Sequence, residues 1–282
     1  MENIYILSSA NSNLSIMKEI NLEELKRIQI SILDKVHSFC MENQITYFLS
    51  CGSLLGAVRH GGYIPWDDDI DLFMPRESYE RFISIYNDSN NGTRVRTLFT
   101  DEKYYYSFAK VEDITTLLIE DFPEKMDIGV NIDIFPVDGV PNNKLLRKWA
   151  FFKNKTIRKL SFSRTINSNK EGRSALKQLL VQLFVFMFSR FSMRDFAVWL
   201  DTSIDKSNNN SQFVCNLTAG KIGRCMKRSV ILDSTDIIFE GKSYKTMIGY
   251  DEYLAMTYGN YMQLPPLEKQ KSHHVFQAFY RE

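Results

Sequence analysis

Residues 66–72, Trp66-Asp67-Asp68-Asp69-Ile70-Asp71-Leu72, set four carboxylates within five positions. In a strand, alternate side chains share a face. Asp67, Asp69 and Asp71 then point one way, and Asp68, Ile70 and Leu72 the other. Carboxylates this close repel unless a cation neutralises them, and an all-oxygen set suits a hard ion, Mg²⁺ or Mn²⁺. Upstream, Gly52-Ser53 closes one apolar run (Tyr47-Phe48-Leu49) and opens another (Leu54-Leu55-Gly56-Ala57-Val58), the pattern of strand, tight turn and helix start. Glycine lets the backbone turn and approach a ligand, and the N–H groups of a new helix can hold phosphate. A phosphate cradle beside a carboxylate cation clamp is equipment for phosphoryl or nucleotidyl transfer. An acidic loop facing water is the alternative. It fits poorly with the apolar residues that flank the acids and alternate with them.

Other residues extend this chemistry. Arg59 has a planar fork that suits phosphate oxygens. His60 beside it either handles a proton or makes a local hydrogen bond. Lys110 lies inside the apolar stretch Phe108-Ala109-Lys110-Val111, where a buried charge needs a partner; donor phosphate and Asp113 are both available. In residues 129–138, GVNIDIFPVD, Val130, Ile132 and Ile134 alternate with Asn131, Asp133 and Phe135, so Asp133 is a third acidic element facing away from its apolar neighbours. Asp138, after Pro136, is read as a cap on the turn into the next helix.

Gly52-Ser53, the following Leu-Leu-Gly-Ala-Val-Arg-His, and Ile64-Pro65-Trp66-Asp67-Asp68-Asp69-Ile70-Asp71 together resemble the core motif of LicD-type phosphotransferases, which include phosphorylcholine transferases and the related fukutin-type proteins. The resemblance covers roughly residues 20–275 and is weakest between about 145 and 210. It implies an α/β (α+β) fold: a nucleotidyltransferase-like mixed sheet with flanking helices and an accessory helical region. It implies metal ligands at Asp69, Asp71 and Asp133, with Asp133 available to take the proton of the attacking hydroxyl. Lys110 and Arg59 would balance charge, and Gly52, Ser53, His60 and Trp66 would complete the donor side. The implied reaction passes a phospho-alcohol, typically phosphocholine, from a CDP-alcohol donor to a hydroxyl of a teichoic acid, lipopolysaccharide or capsule precursor. Trp66 and Tyr104-Tyr105-Tyr106 are the aromatics nearest to hand for a quaternary ammonium, unless they only pack the sheet. Two rivals are an Asp-x-Asp glycosyltransferase, which usually leads with a Rossmann-like half, and an inactive binding protein on the same fold.

The elements that must position these groups are legible in part. Asn21 and Glu24 form a capping-box pattern before a helix with Leu22, Leu25, Ile28, Ile32, Val36 and Phe39 at helical spacing, ending near Asn43. Residues 45–50 read as the first strand and 75–87 as a helix with Tyr79, Phe82, Ile83 and Tyr86 on one face. Residues 94–100 and 104–111 read as an antiparallel pair, 213–217 as a short strand, 239–244 as a hairpin turn, and 251 onward as a helix. Gly220-Lys221-Ile222-Gly223-Arg224-Cys225 is a weak anion-binding pattern, and His273-His274 either closes the site or lies in a solvated tail.

The division expected is a catalytic core over 1–143, a basic and apolar helical region over 144–211, and a C-terminal part over 212–282 that completes the same domain. Net charge is +1, and no nucleic-acid partner is expected. The four cysteines show no metal spacing and read as reduced thiols of a cytoplasmic protein. The start lacks a basic signal-peptide region. Between 144 and 173 Lys and Arg recur, and the run 179–188 is apolar but too short to cross a bilayer. That pairing means either a buried core helix or a peripheral contact with the inner membrane face, where a lipid-linked acceptor would lie.

Overall fold

A reciprocal cap opens the first described helix of the computed structural model: Asn21 Oδ1 accepts Glu24 N–H at 2.9 Å, and the Glu24 carboxylate accepts Asn21 N–H at 3.3 Å. This helix, α1 (Leu22–Glu42), buries Leu25, Ile32, Leu33, Val36 and Cys40. The structure describes residues 17–120, 124–166, 174–206, 208, 210–219, 224–231, 233–271 and 276–281. The paired histidines and most of the 220–225 turn lie outside them.

After α1 the chain runs through β1 (Phe48–Leu49), α2 (Cys51–His60), β2 (Asp71–Pro75), α3 (Arg76–Ile85), β3 (Thr93–Arg96), β4 (Ala109–Asp113), β5 (Thr116–Glu120) and β6 (Asn131–Val140). The helices α4 (Lys144–Ser161), α5 (Ala175–Phe188) and α6 (Met193–Ser203) follow. Then come β7 (Phe213–Cys215), β8 (Met226–Lys227), β9 (Ser234–Phe239), β10 (Lys242–Met247), α7 (Tyr250–Tyr258) and β11 (Phe276–Tyr280). The main sheet has the order β1-β2-β6-β4-β3, with β7 and β8 continuing from β6. The pair β2–β6 is parallel, and the neighbours on either side are antiparallel. It is the mixed sheet of an α/β fold. Among the described residues two helices, α1 and α2, and one two-residue strand precede the acidic motif, and these do not make a Rossmann-like half.

Both faces of this sheet are covered. Leu49, Leu72 and Ile134 are aligned across β1, β2 and β6 and pack with α1 and α3 through Ile32, Val36, Tyr79 and Phe82. Phe48, Phe73 and Phe135 form the next row and pack with Leu54, Leu55, Tyr253 and Leu254 from α2 and α7. The hairpin β9–β10 turns through Glu240 (φ 51°) and Gly241 (φ 75°), a primed turn whose twist matches its strands.

Several expectations are corrected. The strand expected over 45–50 shortens to Phe48–Leu49, and the one carrying the acids begins only at Asp71. Asp138 is no helix cap. It lies inside β6, where Arg76 donates to both its oxygens at 2.6 and 2.8 Å with both residues buried; removing one partner of such a pair costs about 3–5 kcal/mol. The cap on α4 is Asn143, which accepts Leu145 and Leu146 N–H. Finally, the core-helix reading of 179–188 is overturned, since no residue of α5 is buried.

Candidate active site

The site begins at the turn between β1 and α2. Ser50 is extended, and Cys51 takes φ 48° as the chain enters the helix. A non-glycine residue in that region costs about 1–3 kcal/mol and is tolerated only where the surroundings impose it. The left-handed residue of the turn is therefore Cys51, not Gly52. Glycine at 52 serves a close approach instead: a Cβ there would lie 2.6 Å from Asp67 Oδ2. The Asp67 carboxylate thus rests against the first turn of α2, where the helix dipole favours an anion.

Ser53 is buried and holds the main chain of an acid. Its Oγ accepts Asp71 N–H at 2.8 Å. The Asp71 carbonyl accepts Ser50 N–H at 3.0 Å and Ser50 Oγ–H at 3.1 Å. The elbow therefore clamps Asp71 from both sides.

Burial alternates, although residues 67–70 are not strand and the Asp68 carboxylate is not turned away from its neighbours as strand geometry would require. Asp67, Asp69 and Asp71 are half-buried, while Asp68, Ile70 and Leu72 are buried. Carboxylate oxygens of Asp67, Asp68 and Asp69 lie within 4.8 Å of one another. In the parallel pair β2–β6, Asp71 stands opposite Asp133, and in β6–β4 Asp133 stands opposite Lys110. One row across three strands thus reads acid, acid, base. Burial raises the Asp71 carboxyl well above its ordinary value, with Asp69, Asp133 and Asp67 adding to the rise and Lys110 opposing it.

Lys110 is buried, and its Nζ donates to Asp133 Oδ1 at 2.6 Å and Asn131 Oδ1 at 3.1 Å. Burial disfavours its charge, but Asp133 and Glu120 outweigh that and hold the ammonium above its ordinary pKa. Its partner here is therefore Asp133. Asp113 is turned away and accepts Thr115 N–H at 2.8 Å. The aromatics near Lys110 are engaged as well. Tyr104 and Tyr105 are buried, Tyr106 donates to Glu120 at 2.9 Å, and the cation over the Tyr106 ring is Lys110 Nζ itself at 4.8 Å.

Arg59 and His60 sit at the other end of α2. Arg59 Nε donates to His60 Nε2 at 3.0 Å, and Nη1 donates to the Tyr261 carbonyl at 3.0 Å. Burial and the neighbouring Arg59 lower the pKa of His60. The His60 ring meets the half-buried Trp66 edge-on at 6.4 Å between centroids. These three form a cluster next to the acidic loop and tie it to the C-terminal segment.

One residue that positions the acids escaped the sequence reading. Gln29 of α1 is buried and donates Nε2 to the Asp68 carbonyl at 3.0 Å and to the Asn131 carbonyl at 3.2 Å, while its Oε1 accepts Tyr63 O–H at 2.9 Å. A single amide thus joins the acidic loop to the start of β6. The available signal was a glutamine four residues after Leu25 on the apolar face of α1, where helical spacing calls for an apolar residue.

Such a crowd of hard oxygen donors, with Asp71 raised by burial and then by its neighbours' charge, is a set that a divalent cation would neutralise, so the residues fit Mg²⁺ or Mn²⁺.

Residues 44–167 match the family described as LicD/FKTN/FKRP, nucleotidyltransferase domain. Over 267 residues the chain is 32% identical to the lipopolysaccharide cholinephosphotransferase LicD of Haemophilus influenzae, covering 93% of this chain and 99% of that protein. The ribitol 5-phosphate transferase FKRP of human and of mouse is 64% identical over 28 residues, 10% of this chain and 6% of that protein. Similarity along nearly the whole chain, on a sheet that sets Asp71 beside Asp133 and Lys110, makes this protein a member of the LicD family and a phosphotransferase.

Proposed function

We propose that the protein moves a phospho-alcohol, phosphocholine foremost, from a CDP-activated donor to a hydroxyl of a cell-surface glycan precursor, releasing CMP, with Mg²⁺ or Mn²⁺ bound. The observation that supports this most is the row Asp71–Asp133–Lys110, which gathers two carboxylates and a held ammonium from three strands at one point.

Asp69, Asp71 and Asp133 would hold the cation, with Asp67 and Asp68 close by. When bound, it would draw charge from the phosphoryl oxygens as the pyrophosphate bond breaks. The remaining work falls to the chain. Lys110, fixed between Asn131 and Asp133, keeps the Asp133 carboxylate in one orientation, from which it accepts the proton of the attacking hydroxyl. The first turn of α2, with Gly52 bare of a side chain, offers backbone N–H groups to a donor phosphate. Arg59, His60 and Trp66, clustered beside the acidic loop, would complete the donor side, with Arg59 balancing charge.

The test is product formation with CDP-choline, CDP-ethanolamine, CDP-glycerol, CDP-ribitol, UDP-sugars and ATP, with and without Mg²⁺. Cation-dependent release of CMP from one CDP-alcohol supports the proposal. Turnover of a UDP-sugar alone, or equal turnover in a chelator, refutes it.

A further inference from the structure

We infer that α5, with the exposed face of α4, is a docking surface for an anionic lipid bilayer. The inference goes beyond the transfer reaction and does not depend on its chemistry.

The helix α5, ALKQLLVQLFVFMF, is apolar around its whole circumference apart from Lys177, Gln178 and Gln182. A helix of that kind is stable only when something covers it, yet among the described residues none of it is fully buried. Phe186 is 77% exposed and Met187 64%. It is attached along one face, where Gln178, Val181, Phe184, Val185 and Phe188 are half-buried, and at its C-terminal end the Phe188 ring lies 6.3 Å from Phe191 and 6.2 Å from Phe196.

On α4, helical spacing lays Lys144, Lys148, Lys155 and Lys159 in one exposed stripe and Leu145, Trp149 and Phe152 in the stripe beside it. The Trp149 and Phe152 rings stack at 5.7 Å in the open. Aromatics flanked by long basic side chains suit the boundary between acyl chains and head groups.

Charge identifies the occupant. Residues 144–200 carry 13 Lys and Arg against two acids, leaving 22 against 32 for the rest of the chain. A second copy of the same face would bring two strongly basic surfaces together. A bilayer rich in anionic head groups supplies both the apolar cover and the opposite charge.

Length sets the mode. At about 1.5 Å per residue, α5 is roughly 21 Å long, short of the roughly 30 Å hydrocarbon core. Among the described residues no single helix is long and apolar enough to cross a membrane. The bent pair α5 and α6, at 76°, reaches the required length only jointly, and α6 is held in the fold by the buried Phe196, Ala197 and Leu200. Accordingly, α5 lies in the plane of the interface. Not every basic residue takes part: Lys153 donates to the Ser203 carbonyl at 2.6 Å and Arg158 to the Thr218 carbonyl at 3.2 Å, so both serve the fold.

The test uses the full chain with vesicles of phosphatidylcholine, alone or mixed with phosphatidylglycerol, read by flotation and by the blue shift of tryptophan emission. Binding is expected only with phosphatidylglycerol present, and it should fall with added salt. The triple variant Lys148→Gln/Lys155→Gln/Lys159→Gln should lower the partition coefficient on the order of a hundredfold. Leu180→Gln/Phe186→Gln/Met187→Gln should abolish the blue shift. Both variants should keep wild-type circular dichroism, melting temperature and turnover of soluble substrates. Failure to float with anionic vesicles at low salt overturns the inference, as does equal binding to neutral ones. So does a wild-type dimer that becomes monomeric in the apolar variant, because a second copy would then be the cover. Vesicle binding is read without any donor, so its failure is distinct from failure of the proposed reaction.

Discussion

Gln29 on α1 donates its side-chain amide to the carbonyl oxygen of Asp68, 39 residues later in the acidic loop, at 3.0 Å. The same nitrogen reaches the Asn131 carbonyl at 3.2 Å, so one buried group sets the spacing between the loop of Asp67–Asp69 and the strand of Asp133. Gln29→Met keeps the volume and loses the hydrogen bonds. The expected result is a stability loss of about 1–3 kcal/mol from the unsatisfied partners, with turnover and cation affinity down about 10- to 100-fold. Calorimetry with cation titration checks this, and a variant that loses stability yet titrates like wild type would make Gln29 purely structural.

Asp71 faces Asp133 and is surrounded by like charge. Asp71→Asn and Asp69→Asn remove a ligand charge without changing shape. Activity should drop more than about a hundredfold. Cation-free melting temperature should hold or rise, because repulsion is relieved. Normal turnover in either variant at ordinary Mg²⁺ would remove that residue from the site.

Lys110 carries the charge next to Asp133, at 2.6 Å. Lys110→Met should destabilise the fold by about 3–5 kcal/mol, because a part-buried carboxylate loses its partner. Lys110→Met with Asp133→Asn should recover much of that stability while remaining inactive. Chemical denaturation of the two single variants and the double variant measures the coupling; additive effects would show that the pair is not coupled.

Gly52 leaves room for Asp67. Because the neighbouring atom is the end of a flexible side chain, Gly52→Ala should be tolerated by the fold and should push the Asp67 carboxylate away from α2. Cation affinity and the KM for the donor should change more than the melting temperature, by titration and steady-state kinetics. Unchanged kinetics would mean that the approach of Asp67 to α2 has no role in the reaction.

His37 and Tyr47 join α1 to the strand before the elbow. The Tyr47 oxygen accepts Lys245 N–H at 3.2 Å and shares a hydrogen bond with His37 Nδ1 at 2.6 Å. Burial, then Lys245, lowers the His37 pKa. The unfolded chain therefore takes up a proton at higher pH than the folded one. The stability contributed by neutral His37 is present above the ordinary histidine value near 6.5 and is lost as pH falls through the lower folded value. Melting temperature should fall over that acid window, and His37→Phe should flatten this part of the profile. An identical slope in the variant would assign the effect to other groups.

Much of the local structure was already written in the chain. Asn21 with Glu24 closes a cap within one turn, Glu240-Gly241 makes a two-residue hairpin, and burial alternates from Asp67 to Leu72 even where no strand forms. These depend on neighbours a few residues apart, and periodicity records them. Tertiary structure alone decided that Asp71, Asp133 and Lys110 share a row, because the pairing register joins strands far apart in sequence. It also decided that Asp138 belongs to Arg76, that Ser53 clamps the main chain of Asp71, and that Gln29 points inward to the acidic loop. The apolar run 179–188 shows the reason most directly. Its composition demands cover, but whether the cover comes from this chain depends on which surfaces the remaining elements have left over, and here they leave α5 outside.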